Sequence, residues 1–234
     1  MRVDGQNENE SMTGEAARTA PMTFHPELSV SRRWAVLVSF VWASAISIMS
    51  QLTMTTCLPS ILTEFDVSTE HGQWLTTSYM LSLGIMVPCS GFFTTRFQSR
   101  HIFLGANLVF LVGLLGVFAP NFQALVAVRF VQGLAAGLFI PLMQIVAFRL
   151  FPPERRGFAM GVVAIALAAG PTMGPLVAGI CTDLWGWRAV FLGVGLLTLS
   201  SIASYPVMRV LSDPTQRCPF DVPSLAMLAV SFIG

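Results

Sequence analysis

Apolar residues along this chain form six long runs, and short polar segments separate each run from the next. Each run is close to the ~20 residues that a helix needs to span a bilayer. Helices are expected, because an open strand edge cannot satisfy its backbone hydrogen bonds in lipid. The short connections predict that successive helices are antiparallel neighbours. The six runs are Trp34–Leu62, Trp74–Thr94, Ile102–Phe118, Leu125–Leu150, Phe158–Cys181 and Ala189–Val207.

The pattern predicts an all-α, polytopic membrane protein, with the lipid bilayer as its surroundings. Residues 1–33 are polar and poor in aromatic residues, so we expect a disordered cytoplasmic tail. Residues 34–209 hold the six helices, and residues 210–220 form a cytoplasmic linker. Residues 221–234 are apolar for about half the length that a span requires. We therefore expect a seventh helix that is cut short, and a C-terminal half that is missing from this chain.

Composition excludes several classes of protein. Of 234 residues, 54% are hydrophobic and 11% are charged, whereas a soluble domain carries about 25% charged residues. The net charge of +1 gives no indication of a nucleic-acid partner. The four cysteines form no CxxC pair, and the three histidines lie outside the apolar runs. We therefore expect no metal, no cofactor and no enzyme active site.

The distribution of arginine predicts the orientation in the cell membrane. With alternating helices, nine arginines fall on one side of the bilayer, and Arg188 lies on the other side with several acidic residues. Because Lys and Arg accumulate in cytoplasmic loops, we expect a cytoplasmic N-terminus. The nine arginines are Arg32, Arg33, Arg96, Arg100, Arg149, Arg155, Arg156, Arg209 and Arg217.

Arg129 is the only charged residue within the first five turns of the fourth run. At 100° per residue, its helical face also carries Gln132, Gly133, Gly137 and Gln144. A charge within the bilayer costs several kcal/mol, so Arg129 is expected to face protein or a water-filled cavity. The alternative is an arginine that snorkels from a helix end. The glutamines and glycines on the same face favour a polar path through the membrane.

The first run carries a polar stripe, and the fifth carries paired glycines and prolines. Ser44, Ser47, Gln51 and Thr55 follow helical spacing, which is typical either of hydrogen bonding between helices or of a cavity wall. Interior prolines cost a soluble helix about 3 kcal/mol, so two of them in one membrane helix indicate a gating bend. A pure packing role for the glycines remains the alternative. The residues of the fifth run are Gly170, Pro171, Gly174, Pro175 and Gly179.

Several segments resemble signatures of the major facilitator superfamily. RFVQGLAAG resembles its fourth-helix motif, and GPTMGPLVAG resembles the fifth-helix motif of its antiporters. GFFTTRFQSR resembles its loop signature, with Gly91, Arg96 and Arg100 in place. QWLTTSYML, FPPERRGFAMG and WGWRAVF are similar to the multidrug drug:proton antiporter branch. PFDVPSLAMLAV is similar to the start of the seventh helix in that branch.

The resemblance implies the N-terminal six-helix half of a twelve- or fourteen-helix transporter that works by alternating access. It implies a role in proton coupling for Arg129, a sealing bend in the fifth helix, and a cytoplasmic latch that includes Arg96. Two departures from the resemblance each remove a carboxylate. Ser50 stands where the multidrug antiporter branch usually carries an aspartate in the first helix, and Thr95 stands where the loop signature has its aspartate. Gln98 also replaces the glycine of that signature.

The most consistent function is proton-coupled efflux of amphipathic drugs or other small organic molecules. Uptake of a small solute, either neutral or anionic, is an alternative function for the same fold. A membrane protein that is truncated or does not transport is another. The acids between the first and sixth runs lie in loops or at helix ends, so we expect any proton-carrying acid in the missing half, or an anionic substrate that pairs with Arg129. Ser50→Ala is then expected to change transport little.

Overall fold

The computed structural model describes residues 29–210, which form a bundle of six helices. Each helix is long and apolar enough to cross a membrane. α3 and α6 reach that length together with the 3₁₀ turns that follow them. This confirms the six spans predicted from the apolar runs. The predicted tail, linker and seventh helix lie almost entirely outside the described residues. The helices are α1 Val30–Phe65, α2 Trp74–Arg96, α3 Ser99–Leu111, α4 Phe122–Leu150, α5 Pro153–Trp185 and α6 Trp187–Ala203.

Polar residues and prolines at the helix ends explain why most helices begin before the apolar runs. The Ser29 hydroxyl accepts from the amide of Arg32 at 3.4 Å, so α1 begins at Val30. The Asn121 side chain accepts from the amide of Ala124 at 2.8 Å and begins α4. Pro153 opens α5, where its missing N–H costs no hydrogen bond. A short helix, Thr69–Gly72, lies between α1 and α2.

The third predicted run differs most from expectation. Its last part, Val112–Phe118, is a 3₁₀ helix rather than a continuation of α3. In this winding residues three apart lie on one face, which here brings Gly113 and Gly116 together. A Cβ on Gly113 would overlap the side chain of Gln132, and a Cβ on Gly116 would lie 2.8 Å from Phe191. The tighter turn thus lets this segment contact α4 and α6 closely.

Ring contacts show that successive helices alternate in direction. At one end of the bundle, Trp34 at the start of α1 lies 4.9 Å from Phe151 at the end of α4. At the opposite end, Phe65 at the end of α1 lies 6.5 Å from Phe122 and 6.0 Å from Trp187. Phe103 near the start of α3 also lies 4.7 Å from Phe40 near the start of α1. The arginines of the α2–α3 and α4–α5 connections therefore share the first end, which we call the arginine-rich end.

Two apolar clusters fill the bundle, one toward each end. The cluster at the arginine-rich end includes Phe40, Phe103 and Leu142, and the cluster at the opposite end includes Ile61 and Leu125. Along α1 and α4, a short polar stretch separates the two. This polar layer contains the most deeply buried charge among the described residues.

Candidate functional site

Glycines in α4 bring α2 close enough to build the polar layer. A Cβ on Gly133 would overlap the carbonyl oxygen of Tyr79 and the hydroxyl of Ser82. A Cβ on Gly137 would lie 2.8 Å from the carbonyl oxygen of Leu83. Because both glycines lack a Cβ, the backbones of α2 and α4 touch directly. The site depends on this approach, since it places a tyrosine of α2 over the arginine of α4.

Arg129 lies inside the bundle and is held by neutral groups. Its side chain is 1% exposed. NH1 donates to Oε1 of Gln132 at 2.9 Å and to Oγ of Ser50 at 3.2 Å, and NH2 donates to the carbonyl oxygen of Ser50 at 3.4 Å. The guanidinium carbon lies 4.4 Å from the centroid of the Tyr79 ring. This burial is inconsistent with an arginine that snorkels to the membrane surface.

Two further hydrogen bonds connect this group to neighbouring helices. The Tyr79 hydroxyl donates to the carbonyl oxygen of Ser47 at 3.0 Å, which ties α2 to α1. Nε2 of Gln132 donates to the carbonyl oxygen of Phe110 at 3.5 Å, which ties α4 to α3. We call Arg129, Gln132, Ser50 and Tyr79 the Arg129 cluster. A change in the position of any one of these four helices alters the surroundings of one buried charge.

The Arg129 cluster contains no carboxylate. Within residues 29–210, none of the acidic side chains forms an ion pair with Arg129, and its Nε has no hydrogen-bond partner. At Ser50, where the resemblance implies an aspartate, a hydroxyl accepts from the guanidinium instead. Sequence reasoning treated Ser50 as dispensable, whereas the structure makes it a direct partner of Arg129. The acids of this part of the chain are Glu64, Asp66, Glu70, Glu154 and Asp183.

The other polar residues predicted to line a path lie apart from the Arg129 cluster. Gln51 is half-buried, and Thr55 and Gln144 are exposed. The Thr55 hydroxyl donates to the carbonyl oxygen of Leu52 at 2.6 Å, within its own helix. Ser44 is buried and bonds within α1 as well. The stripe on α1 therefore runs from the interior of the bundle to its surface instead of lining one enclosed wall.

The glycines of α5 face α1, and its prolines do not. A Cβ on Gly170 would lie 3.4 Å from the carbonyl oxygen of Ala45, and one on Gly174 would lie 3.1 Å from the side chain of Met49. Pro171 is exposed and Pro175 is half-buried, while α5 stays continuous through both. The glycines thus have a packing role beside Ser50. Gly179 is less crowded, since a Cβ added to it would lie 4.0 Å from the nearest atom, the Cγ2 of Thr56.

The residues of the loop signature lie at the arginine-rich end. α2 ends at Arg96, and only Phe97 and Gln98 separate it from α3. Gly91 and Arg96 are exposed, and Arg100 is partly buried. The Nε of Arg100 has no hydrogen-bond partner among the described residues.

Sequence reasoning missed an ion pair at the opposite end. NH1 of Arg188 lies 2.6 Å from Oε1 of Glu64, and Nε1 of Trp187 donates to Oε2 of the same carboxylate at 2.7 Å. Nε of Arg188 donates to the carbonyl oxygen of Val117 at 3.2 Å. We call this group the Glu64–Arg188 clasp. It joins α1, α6 and the 3₁₀ segment after α3. The available signal was that both charges fall on the same predicted side of the membrane.

Comparisons with known proteins agree with this architecture. Residues 31–223 match the family model described as Major Facilitator Superfamily. The chain is 31% identical over 201 residues to the lincomycin resistance protein LmrB of Bacillus subtilis, which covers 85% of this chain and 42% of that protein. It is 35% identical over 162 residues to a multidrug resistance protein B homolog of Mycobacterium tuberculosis, which covers 67% of this chain and 29% of that protein.

The fold is also found among solved structures. The crystal structure of the peptide transporter POT in complex with alafosfalin has a TM-score of 0.69 and 14% sequence identity. The match covers 84% of this chain and 44% of that one. At this identity the likeness concerns the fold alone. In each comparison the chain spans less than half the length of the protein that it matches.

Proposed function

The chain belongs to the major facilitator superfamily, and on that premise we propose that it forms the N-terminal half of a transporter that exports small organic molecules by alternating access. It is an integral membrane protein of a family of transporters rather than enzymes. We further propose that its N-terminus is cytoplasmic. The arginines gathered at one end of the bundle support that orientation, because positive charge accumulates in cytoplasmic loops.

The observation that carries the proposal is the Arg129 cluster. A charged group within the membrane is expensive, and such groups mark pathways for substrates, ions or protons. Arg129 is held by contacts from α1, α2 and α4, so movement between these helices changes how well its charge is satisfied. A group of this kind responds to both the opening of the bundle and the arrival of a polar ligand.

The names of the relatives support export as the direction. One is a lincomycin resistance protein and another is a multidrug resistance protein B homolog. Resistance to a compound is consistent with its removal from the cell. We propose the same direction for this protein, with amphipathic organic molecules as substrates. The fifth-helix glycines and prolines, Gly170, Pro171, Gly174 and Pro175, support this because they resemble the antiporter motif.

We also propose that the proton-carrying group is supplied by the C-terminal half. Proton antiport requires a side chain that takes up and releases a proton within the membrane. The acids of residues 29–210 lie at helix ends or in the segments between helices. Arg129 cannot carry the proton, because a guanidinium stays charged in proteins. Arg129 is then the group that senses a distant protonation, through its contacts across the bundle.

The test compares two forms of the protein in cells that lack their own drug exporters. One form is made from the complete reading frame, and the other consists of residues 1–234. Loss of a preloaded fluorescent amphipathic dye is followed with and without a protonophore. We expect protonophore-sensitive efflux from the complete protein and none from residues 1–234, because one wall of the cavity is absent.

Two results would contradict the proposal, each in a different part. Energy-dependent efflux by residues 1–234 alone would show that two copies of this half form a transporter. Energy-dependent accumulation of the dye by the complete protein would show uptake instead of export. Cells without the transporter serve as the inactive control. The amount of each form in the membrane is measured in parallel, so that a loss of protein is not mistaken for a loss of transport.

A further inference from the structure

The hydrogen bonds of Arg129 leave one edge of its guanidinium unused. A guanidinium has five N–H donors in a rigid planar fork. NH1 reaches both Gln132 and Ser50, and NH2 also reaches Ser50, so Ser50 occupies the edge between the two terminal nitrogens. Nε has no partner among the described residues. The free edge is therefore the one formed by Nε and NH2, which is a geometry that carboxylates bind with two hydrogen bonds.

The groups around Arg129 do not neutralise its charge. Ser50 and Gln132 offer a hydroxyl, a carbonyl oxygen and an amide oxygen, all of them neutral. The Tyr79 ring contributes a weaker attraction through its π face. Buried charges in proteins are normally paired, because the cost of removing an isolated ion from water is large. A side chain that is 1% exposed and has no counter-charge within residues 29–210 is thus an incomplete site.

From these two observations we propose that the Nε–NH2 edge of Arg129 is a binding site for a monovalent anion, with a carboxylate as the best fit. Arg129 donates the hydrogen bonds to the anion, and Ser50 and Gln132 hold the guanidinium in place. The anion supplies the negative charge that the neutral groups of Ser50 and Gln132 do not supply. In the proposed transporter, this chemistry is provided either by the carboxylate of a transported compound or by a free inorganic anion.

The inference rests on the proposed function in one respect. Because Arg129 is almost fully covered, an anion reaches it only when α1, α2 and α4 move apart, as alternating access requires. The binding itself is separate from transport. A measurement of anion binding to purified protein therefore distinguishes failure of this site from failure of the transporter.

The experiment measures thermal unfolding of the protein from the complete reading frame, purified in a non-ionic detergent and a zwitterionic buffer. Sodium chloride, sodium acetate and sodium hexanoate are titrated separately up to about 100 mM. A ligand that binds only the folded state raises the unfolding midpoint as its concentration rises. For the wild type we expect a saturable rise of roughly 2–4 °C with at least one of the three salts.

Four variants test whether the effect arises at the proposed edge. Arg129→Gln removes the guanidinium and should abolish the rise. Ser50→Asp places a carboxylate beside the guanidinium, where the Ser50 hydroxyl now lies 3.2 Å from NH1. It should therefore raise the midpoint without added anion and remove most of the salt response. Ser50→Asn is its neutral control, since it changes the same side chain without adding a charge, and its midpoint without added anion should lie below that of Ser50→Asp. Arg155→Gln loses an exposed arginine and should also keep it.

The choice of salt separates the two sources of the anion. An equal response to chloride and acetate indicates a free inorganic anion. A response to hexanoate at much lower concentration than to acetate, with none to 1-hexanol, indicates the carboxylate of an amphipathic compound. If the salts shift wild type and Arg129→Gln equally, or if Ser50→Asp is no more stable than Ser50→Asn, the proposal is wrong. Should the Arg129→Gln protein fail to fold, the comparison of Ser50→Asp with Ser50→Asn decides alone.

Discussion

Two arginines of this molecule, Arg129 and Arg188, make a controlled comparison. Each guanidinium lies 4.4 Å from the centroid of an aromatic ring, that of Tyr79 for Arg129 and that of Trp187 for Arg188. Each also donates a hydrogen bond to a backbone carbonyl oxygen of another helical segment. The two sites therefore share most of their parts and lie in different layers of the same bundle.

They differ in burial and in counter-charge. The side chains of Arg188 and Glu64 are each 41% exposed and form an ion pair. Arg129 is 1% exposed and is held by Ser50 and Gln132, which are neutral. Among the described residues, the more deeply buried arginine is thus the one without an acidic partner. An exposed pair stabilises a protein by about 0–1 kcal/mol. A buried charge without a charged partner is costly, so the structure around it responds when a counter-charge arrives.

The largest expected effect separates these two arginines directly. In the complete protein, Arg129→Gln should reduce dye efflux to the background of cells without transporter, because the buried charge is removed from the pathway. Arg188→Gln should retain at least about half of wild-type efflux, since its charge lies at a partly exposed end. Efflux is measured at equal amounts of protein in the membrane. If both variants lose the same fraction of efflux, burial is not what distinguishes the two sites.

The second prediction concerns the contact that holds Tyr79 over Arg129. Gly133→Ala should lower the free energy of unfolding by about 1–3 kcal/mol, because its Cβ would overlap the backbone of α2 and force the helices apart. Gly105→Ala in α3 is the matched control, since no atom lies within 4 Å of its added Cβ. The control should be neutral or slightly stabilising, because alanine favours helix over glycine. Equal stability of the two variants would show that α2 and α4 adjust to the extra methyl group.

The sequence allowed the spans, their alternation and the position of Arg129 to be predicted, because each follows from a local pattern. Apolar length predicts a span, and a lone charge among apolar residues indicates a special position. The partners of Arg129 were less accessible, since Ser50 and Tyr79 belong to other helices and only packing decides which residues meet. The 3₁₀ segment at Gly113 had no distinct hydrophobic signal. Its close contact with Gln132 of α4 arises only from the packing of the helices.

The third prediction tests whether α5 adjusts the surroundings of the Arg129 cluster without affecting the clasp. The Thr53 hydroxyl lies 3.4 Å from the carbonyl oxygen of Gly174, which places the α1–α5 contact one turn from Ser50. Replacing both Pro171 and Pro175 with alanine restores backbone donors and should straighten or stiffen α5. We expect efflux to fall severalfold, with normal insertion and expression. Unchanged efflux in the double variant would favour a pure packing role for this helix.

The smallest expected effect belongs to the Glu64–Arg188 clasp, which contains the more exposed of the two arginines. Glu64→Gln and Arg188→Gln should each lower the free energy of unfolding by about 0.5–1 kcal/mol, and the double variant should show a coupling of similar size. The coupling should shrink when salt is raised from 50 mM to 500 mM, because both side chains are accessible to screening ions. The glutamine side-chain oxygen in Glu64→Gln can still accept from Trp187, so this variant should lose no more stability than Arg188→Gln.

A salt-independent coupling of more than about 2 kcal/mol would mean that the clasp is as strongly coupled as a buried pair. The contrast between an exposed, paired arginine and a buried, unpaired one would then no longer account for their different roles.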